Sequence, residues 1–292
     1  MTRQLKILWQ FSRPHTIIGS VCSITALYIL SCEGKGLQEH LPLLIATLIA
    51  ALGCNVFIVG LNQLEDVELD VINKPRLPLA AGTLSRQSGL TITYCALLIS
   101  LITAAIISLF LLLVIGVIIV IGIIYSVPPL KLKQHHLPAA LCITLVRGFI
   151  VNIGIFLHYQ FVLNESLTIP GYIWCLTFFI MAFSVAIAWF KDLPDTEGDD
   201  RYHIKTLPVL YSREFALHGG TALVCAAYIY VITWSFLKTN YLLLAGHCIL
   251  FLFFLINFIS VKLSDKDSIK NFYLRFWIFF FSEYLLFSIW AV

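Results

Sequence analysis

Charge is scarce in this 292-residue sequence: Asp, Glu, Lys and Arg make up 12% of it, about half the share usual in a soluble domain. That scarcity excludes an ordinary water-soluble globule. An apolar content of 60% equally excludes a disordered chain. A strong excess of one sign is also missing. The net charge of +3 is too small and too scattered to suggest nucleic-acid binding. The eight cysteines contain no CxxC pair. Cys22, Cys54, Cys95, Cys142, Cys175, Cys225 and Cys248 lie in apolar runs, with only Cys32 near a loop, so they read as small packing residues rather than a zinc, redox or disulfide framework. Arg3, Lys6 and Arg13 precede the apolar stretch from Ile17 to Leu30. No A-x-A-like cleavage site follows, so the stretch reads as a retained first helix rather than a signal peptide.

What the sequence has in abundance is long apolar runs. They lie near residues 14–32, 41–63, 138–160, 171–190, 216–237, 241–261 and 273–292. At about 20 residues per membrane span, the length admits about eight to ten spans. No charge occurs between Arg86 and Lys131. As one helix this stretch would reach about 66 Å, against a hydrocarbon core of about 30 Å. Two helices with a tight turn near residues 109–114 fit better, giving nine spans. Alternating the loops then puts nearly all the basic residues on one side. Of nineteen Lys and Arg, only Lys35 and Lys238 fall on the other side, and Arg147 falls inside span 5. By the positive-inside rule, the N-terminus and the loops after spans 2, 4, 6 and 8 are cytoplasmic and the C-terminus is opposite. The expected fold is therefore all-α, an integral membrane protein of nine transmembrane helices. Residues 1–292 would form a single domain.

Nine of the sixteen acids fall in two clusters, Glu65 to Asp70 and Asp192 to Asp200. Each cluster follows an even-numbered span, so both belong to the same face of the membrane. Asn62, Asp66 and Asp70 are spaced i, i+4, i+8, one narrow face of a helix. Asp192, Asp195 and Asp199 are spaced i, i+3, i+7, again one face if the helix continues through Pro194. Stacked carboxylates repel one another unless cations lie between them. Mg²⁺ takes hard oxygen ligands, keeps several waters and is commonly held by one or two carboxylates plus substrate phosphates. Two such faces opposite one another would hold a diphosphate. Glu65, Glu68 and Glu197 lie off these faces and read as solvated charges. The two clusters, four helices apart, also suggest two four-helix halves plus a ninth span.

The strings Asn62-Gln63-x-x-Asp66-x-x-x-Asp70, Asn73-Lys74-Pro75 and Lys191-Asp192-x-Pro194-Asp195-x-x-Gly198-Asp199 resemble the two Asp-rich motifs of the UbiA-type intramembrane aromatic prenyltransferases. Arg13 to Gly19 (RPHTIIG), Asn73 to Gly82 (NKPRLPLAAG), Tyr125 to Lys133 and Arg147-Gly148-x-x-Val151-Asn152 are similar to the homogentisate phytyltransferase branch of that family. The resemblance runs from about residue 9 to the C-terminus. It implies nine helices around a central cavity that opens sideways to lipid, capped by the two Asp-bearing loops. It also implies Mg²⁺-dependent transfer of a prenyl group, most specifically phytyl from phytyl diphosphate, to homogentisate with loss of CO₂. The product would be a methyl-phytyl-benzoquinol, as in tocopherol biosynthesis.

On that reading Asn62, Asp66, Asp70, Asp195 and Asp199 are the metal ligands, and Asp192 either binds metal or orients those that do. Lys74, Lys131, Lys133 and Lys191 are candidates to neutralise diphosphate oxygens, the last three equally readable as positive-inside anchors. Arg147 is costly within a span and needs a partner. An anionic substrate group is preferred over an Asp-motif carboxylate or backbone carbonyls. Arg13 and His15, at the start of span 1, are candidates to contact the aromatic substrate or the diphosphate. For His15 a capping role fits equally. The Tyr125 hydroxyl, before a helix-breaking Pro pair, either reaches the site or anchors the interface. His135 and His136 read as parts of a wet loop. Two other readings remain. One is a sibling enzyme with a geranylgeranyl or solanesyl tail, or with a 4-hydroxybenzoate or chlorophyll-type acceptor. The other is an ion-coupled transporter, whose carboxylates would be expected at the bilayer midplane instead. A CDP-alcohol phosphotransferase is disfavoured, because no DG-x₂-AR-type string occurs.

Overall fold

The computed structural model describes residues 2–292, and its described residues form helices, turns and loops with no strand. Among the described residues, nine helices are long and apolar enough to cross a membrane. Spans 1 to 3 are Pro14–Ser31, Leu41–Glu65 and Arg86–Ile107. Spans 4 to 6 are Leu109–Ser126, His136–Asn164 and Gly171–Phe190. Spans 7 to 9 are Arg213–Leu237, Tyr241–Ile259 and Lys266–Ala291. The protein is an integral, multi-pass membrane protein. All eight cysteines are unpaired, as their place in apolar runs suggests.

The uncharged stretch does divide in two, but the break is Ser108 rather than a turn within 109–114. Ser108 is extended (φ −164°), and its hydroxyl accepts the Leu111 N–H at 3.1 Å. A capping side chain stops one helix and starts the next, so a single residue suffices. Span 5 is longer than the 138–160 expected from hydropathy. Its middle, Thr144–Ile155, winds as a π-helix of 12 residues, far beyond the usual single π-turn and of a kind frequent at functional sites. Gly148 permits this segment to meet span 6, since a Cβ there would stand 2.8 Å from the Met181 Cα.

The spans close into a ring. Span 1 packs on span 2, spans 2, 3 and 4 on one another, 4 on 5, 5 on 6, 6 on 7 and 7 on 8. Span 8 packs on span 9, which returns to span 1. Apolar side chains hold this ring together; Phe179, Phe183, Phe190, Phe272 and Phe276, for example, are fully buried between spans 6 and 9. The ring encloses a cavity of 1290 Å³ at the motif end. A smaller space of 170 Å³, reaching Ser23, Cys54 and Tyr284, continues deeper and shares Thr16, Ile58 and Arg147 with it.

Both Asp motifs lie on broken helices rather than on the continuous ones their spacing suggests. After span 2 the helix stops at Glu65, pauses at Asp66 (φ −119°, ψ 20°) and resumes as Val67–Asn73. Span 6 ends at Phe190, residues 191–195 form turns, and Thr196–Arg201 is a separate short helix. Pro194 has no N–H to give an intrahelical bond, so the helix does not survive it. The breaks fold both motif segments over the cavity mouth. Two backbone hydrogen bonds tie the loop after span 4 to the stretch that follows the second motif: His136 N donates to Lys205 O (3.0 Å) and Lys205 N to Gln134 O (2.9 Å). His136 thereby begins span 5, whereas the sequence suggested a wet loop.

Candidate active site

Every residue singled out from the sequence lines the 1290 Å³ cavity. From the two Asp motifs these are Asn62, Asp66, Asp70, Asp192, Asp195 and Asp199. Around them stand Arg13, His15, Lys74, Tyr125, Lys131, Lys133, Arg147 and Lys191. Glu65 and the exposed Glu68 also border it, while Glu197 does not.

The two motifs meet across the cavity. Lys74, at the end of the first, places its Nζ 2.5 Å from Asp195 and 3.9 Å from Asp70. Asn73 donates from Nδ2 to Asp199 at 3.1 Å. Gly198 makes this meeting possible, because a Cβ there would overlap the Asn73 side chain. Asp66 is shared by Lys133 at 2.5 Å and Lys131 at 3.4 Å. Asp192 pairs with Lys191 at 2.5 Å. Asn62 donates to the Ser126 hydroxyl at 3.4 Å, and its carbonyl oxygen accepts nothing among the described residues.

Crowding and burial act together on these charges. Burial raises the Asp199 pKa to about 7, and Asp192 and Asp195 push it the same way. Burial also raises Asp70 and Asp192, against the pull of Lys74 and Lys191 respectively. Lys133 is lowered by burial despite Asp66 beside it. For Asp70, Asp192 and Asp199 burial thus outweighs the nearby lysines. Asp70 Oδ2 is buried without any hydrogen-bond partner. Among the described residues no three His, Cys, Asp or Glu side chains stand close enough to enclose a metal ion. The donors are nevertheless hard oxygens on two facing segments, one of them orphaned, with flexible ammonium groups on most of the rest. This donor set fits Mg²⁺, which needs only one or two carboxylates alongside water and phosphate oxygens.

Deeper, the wall changes character. The Arg147 guanidinium lies 4.5 Å from the Trp277 ring centroid and 5.6 Å from that of Phe280. Among the described residues it makes no ion pair, so the motif carboxylates considered from sequence are not its partners. Its side chain bonds no backbone carbonyl either. The π-helix that presents it is fastened by Asn152, whose Nδ2 donates to Gly148 O (2.7 Å) and whose Oδ1 accepts from Tyr284 (2.9 Å). Arg13 has a left-handed backbone (φ 52°) and a buried Nε without a partner. The His15 ring rests 4.9 Å from that of Trp277. Sequence reasoning assigned no role to Asn73, although it begins the NKP string. It missed Trp277 altogether, because one tryptophan among so many aromatics carries no pattern.

Comparison with known proteins agrees with this geometry. Residues 22–282 match the model of the UbiA prenyltransferase family. The chain is 41% identical over 294 residues to a homogentisate phytyltransferase of Synechocystis sp. (strain ATCC 27184 / PCC 6803 / Kazusa), covering 98% of this chain and 95% of that one. It is 36% identical to the chloroplastic homogentisate phytyltransferase 1 of Arabidopsis thaliana, covering 97% of this chain and 74% of the relative. Among solved structures it superposes on a UbiA homolog from Archaeoglobus fulgidus bound to GPP and Mg²⁺, with TM-score 0.66 and 18% identity, covering 97% and 99%.

Proposed function

The chain belongs to the UbiA prenyltransferase family, and from that premise we propose how its residues carry out the reaction. The enzyme transfers a phytyl group from phytyl diphosphate to homogentisate with loss of CO₂, giving a methyl-phytyl-benzoquinol for tocopherol biosynthesis. One observation carries the reading. A cavity holding two facing Asp motifs at its mouth also holds an unpaired cation, Arg147, beneath them. The mouth suits a diphosphate and the cation suits a carboxylate. The reaction has one of each.

Asp66, Asp70, Asp195, Asp199 and the Asn62 carbonyl would hold Mg²⁺, with Asp192 directly on the metal or orienting its ligands. Bound there, Mg²⁺ supplies Lewis-acid stabilisation of the departing diphosphate. Lys74, Lys131, Lys133 and Lys191 exchange their carboxylate partners for phosphate oxygens, which their long stems permit. Arg13 adds charge at the start of span 1, and Tyr125 faces the same space from the end of span 4. Arg147 receives the homogentisate carboxylate and so positions the ring. The apolar depth of the ring of helices shelters the tail, which enters sideways from lipid. The whole chain, residues 1–292, acts as one unit. The motif loops and N-terminus face the cytoplasm and the C-terminus faces away. A C-terminal reporter that signals from the cytoplasm would overturn that orientation.

Membranes carrying the protein, given Mg²⁺, labelled homogentisate and a panel of phytyl, geranylgeranyl and solanesyl diphosphates, test the assignment. Phytyl is expected to be transferred fastest. Preference for a longer or less saturated tail would place the chain with a sibling activity. Absence of diphosphate release with every donor would count against an enzyme of this kind.

A further inference from the structure

Three histidines are enclosed by the spans, and two of them have both ring nitrogens occupied. His158 lies between the Thr47 hydroxyl (Nε2, 3.2 Å) and the Ser108 hydroxyl (Nδ1, 3.0 Å). His247 lies between the Leu243 carbonyl (Nδ1, 2.5 Å) and Glu283 (Nε2, 3.0 Å). These two are fastened into the helix packing. His15 is the third, and it alone lines the 1290 Å³ cavity. Neither of its nitrogens has a hydrogen-bond partner among the described residues. Its ring is held only by the Trp277 indole, 4.9 Å away and tilted by 58°. His15 is half-buried, and ring nitrogens left open on a cavity wall are available to a ligand.

Resting on the function proposed above, we infer that His15 is the base that takes the proton from the aromatic ring during transfer. The chemistry requires such a base. The allylic C–O bond breaks and the diphosphate leaves with the electron pair. A ring π pair forms the new C–C bond, so the attacked carbon carries both its hydrogen and the prenyl group. That C–H bond then breaks, its pair restores aromaticity, and the proton goes to an imidazole nitrogen of His15. Decarboxylation is separate: the C–CO₂ bond breaks, and the pair left on the side-chain carbon takes a proton, which makes the methyl group. The proton lost by the ring thus equals the one gained by the side chain.

The other groups on the cavity wall suit this task less. The lysines and arginines are cations. The motif carboxylates face lysines and would hold the metal. A diphosphate neutralised by those same cations is a weak base. His15 instead turns both of its unengaged ring nitrogens to the cavity space. Its packing against Trp277 fixes the ring plane, as a base must be positioned before its strength counts.

The test uses purified full-length protein with Mg²⁺, phytyl diphosphate and homogentisate, either ordinary or deuterated on its ring carbons. Wild-type turnover of ordinary homogentisate tests the function itself, independently of His15. In His15→Gln, kcat is expected to fall by about 10²-fold, the usual scale for a general base. Both KM values should stay near wild type, and ring deuteration should slow the variant more than it slows the wild type. In His15→Ala, added imidazole should restore part of the rate. Unchanged phytyl diphosphate KM shows that either variant is folded. Wild-type kcat in His15→Gln overturns the inference. So does a lower kcat with an unchanged isotope effect and no rescue by imidazole, which would make His15 a packing residue beside Trp277.

Discussion

At the motif end of the ring, Lys131 and Lys133 share Asp66, and Lys74 reaches from Asp70 to Asp195. At the opposite end, His158 is set between Thr47 and Ser108, and His247 between Leu243 and Glu283. Both ends bury polar groups, but in different ways. The far-end contacts form a directed chain. Thr47 spends its proton on the Leu43 carbonyl (2.8 Å), so it must accept from His158 Nε2–H. His158 Nδ1 is then an acceptor, and the Ser108 hydroxyl donates to it. A similar constraint holds for His247, whose Nδ1 faces a carbonyl and must donate, which turns Nε2 to Glu283. These partners are short and fixed. At the motif end the partners are long, charged and exchangeable, and Asp70 Oδ2 and Arg13 Nε are buried without one, as Glu283 Oε1 is at the far end. Fixed pairs hold helices together, whereas exchangeable pairs can be displaced by a metal and a diphosphate.

The sharpest way to break this contrast is to remove a motif carboxylate. Asp66→Asn or Asp195→Asn keeps the shape and removes the charge. Mg²⁺-dependent transfer should fall by about 10³-fold or more, roughly 4 kcal/mol of lost stabilisation of the leaving diphosphate. Elution as a monodisperse species in detergent should be unchanged, because the carboxylates are not what holds the ring together. Near-wild-type turnover in either variant would remove the metal assignment.

Arg147→Ala probes the boundary between the charged mouth and the aromatic wall. Losing one charge-assisted contact to the homogentisate carboxylate costs about 2 kcal/mol, a roughly 30-fold rise in KM for homogentisate. The affinity for phytyl diphosphate should not change, as equilibrium binding of the labelled diphosphate would report. Weaker diphosphate binding would instead move Arg147 into the diphosphate site.

The same contrast explains how much could be read in advance. Charge scarcity made Lys, Arg, Asp and Glu informative, so the span count and the common end of the two Asp clusters were legible from spacing. The helix break at Asp66 was not, because carboxylates at i, i+4, i+8 look alike on a continuous helix and on one that pauses, whereas Pro194 itself raised the question of a break in the second motif. The π-helix at Thr144–Ile155 left no mark in the apolar pattern, since lipid-facing and cavity-facing positions are both apolar. Ser108 was hidden for a related reason: a cap is a local hydrogen bond, and no change in hydropathy announces it. Trp277 and Asn73 owe their roles to neighbours from distant segments, His15 and Asp199, which only the closed ring brings near.

Ser108→Ala tests the far end and should behave in the opposite manner to the aspartate variants. It removes the cap of span 4 and leaves His158 Nδ1 without its donor. Together these cost about 1–3 kcal/mol. The melting temperature in detergent should drop while kcat stays within about twofold of wild type. A loss of kcat without a loss of stability would mean that the two ends are coupled through spans 4 and 5.

The smallest expected effect separates position from charge. Glu197 lies between Asp195 and Asp199 in sequence and carries the same charge. The two aspartates are buried at the cavity wall, 6% and 4% exposed, whereas Glu197 points to solvent and does not line the cavity. If net negative charge on the loop were what attracts Mg²⁺, Glu197→Gln would weaken transfer nearly as much as Asp195→Asn. If enclosed oxygens are what matter, solvent screens Glu197 from the site. Both turnover and stability should then shift by less than about 0.5 kcal/mol, roughly twofold. Titrating Mg²⁺ against transfer rate in the two variants side by side decides between these, because a general loss of loop charge would raise the Mg²⁺ requirement in both.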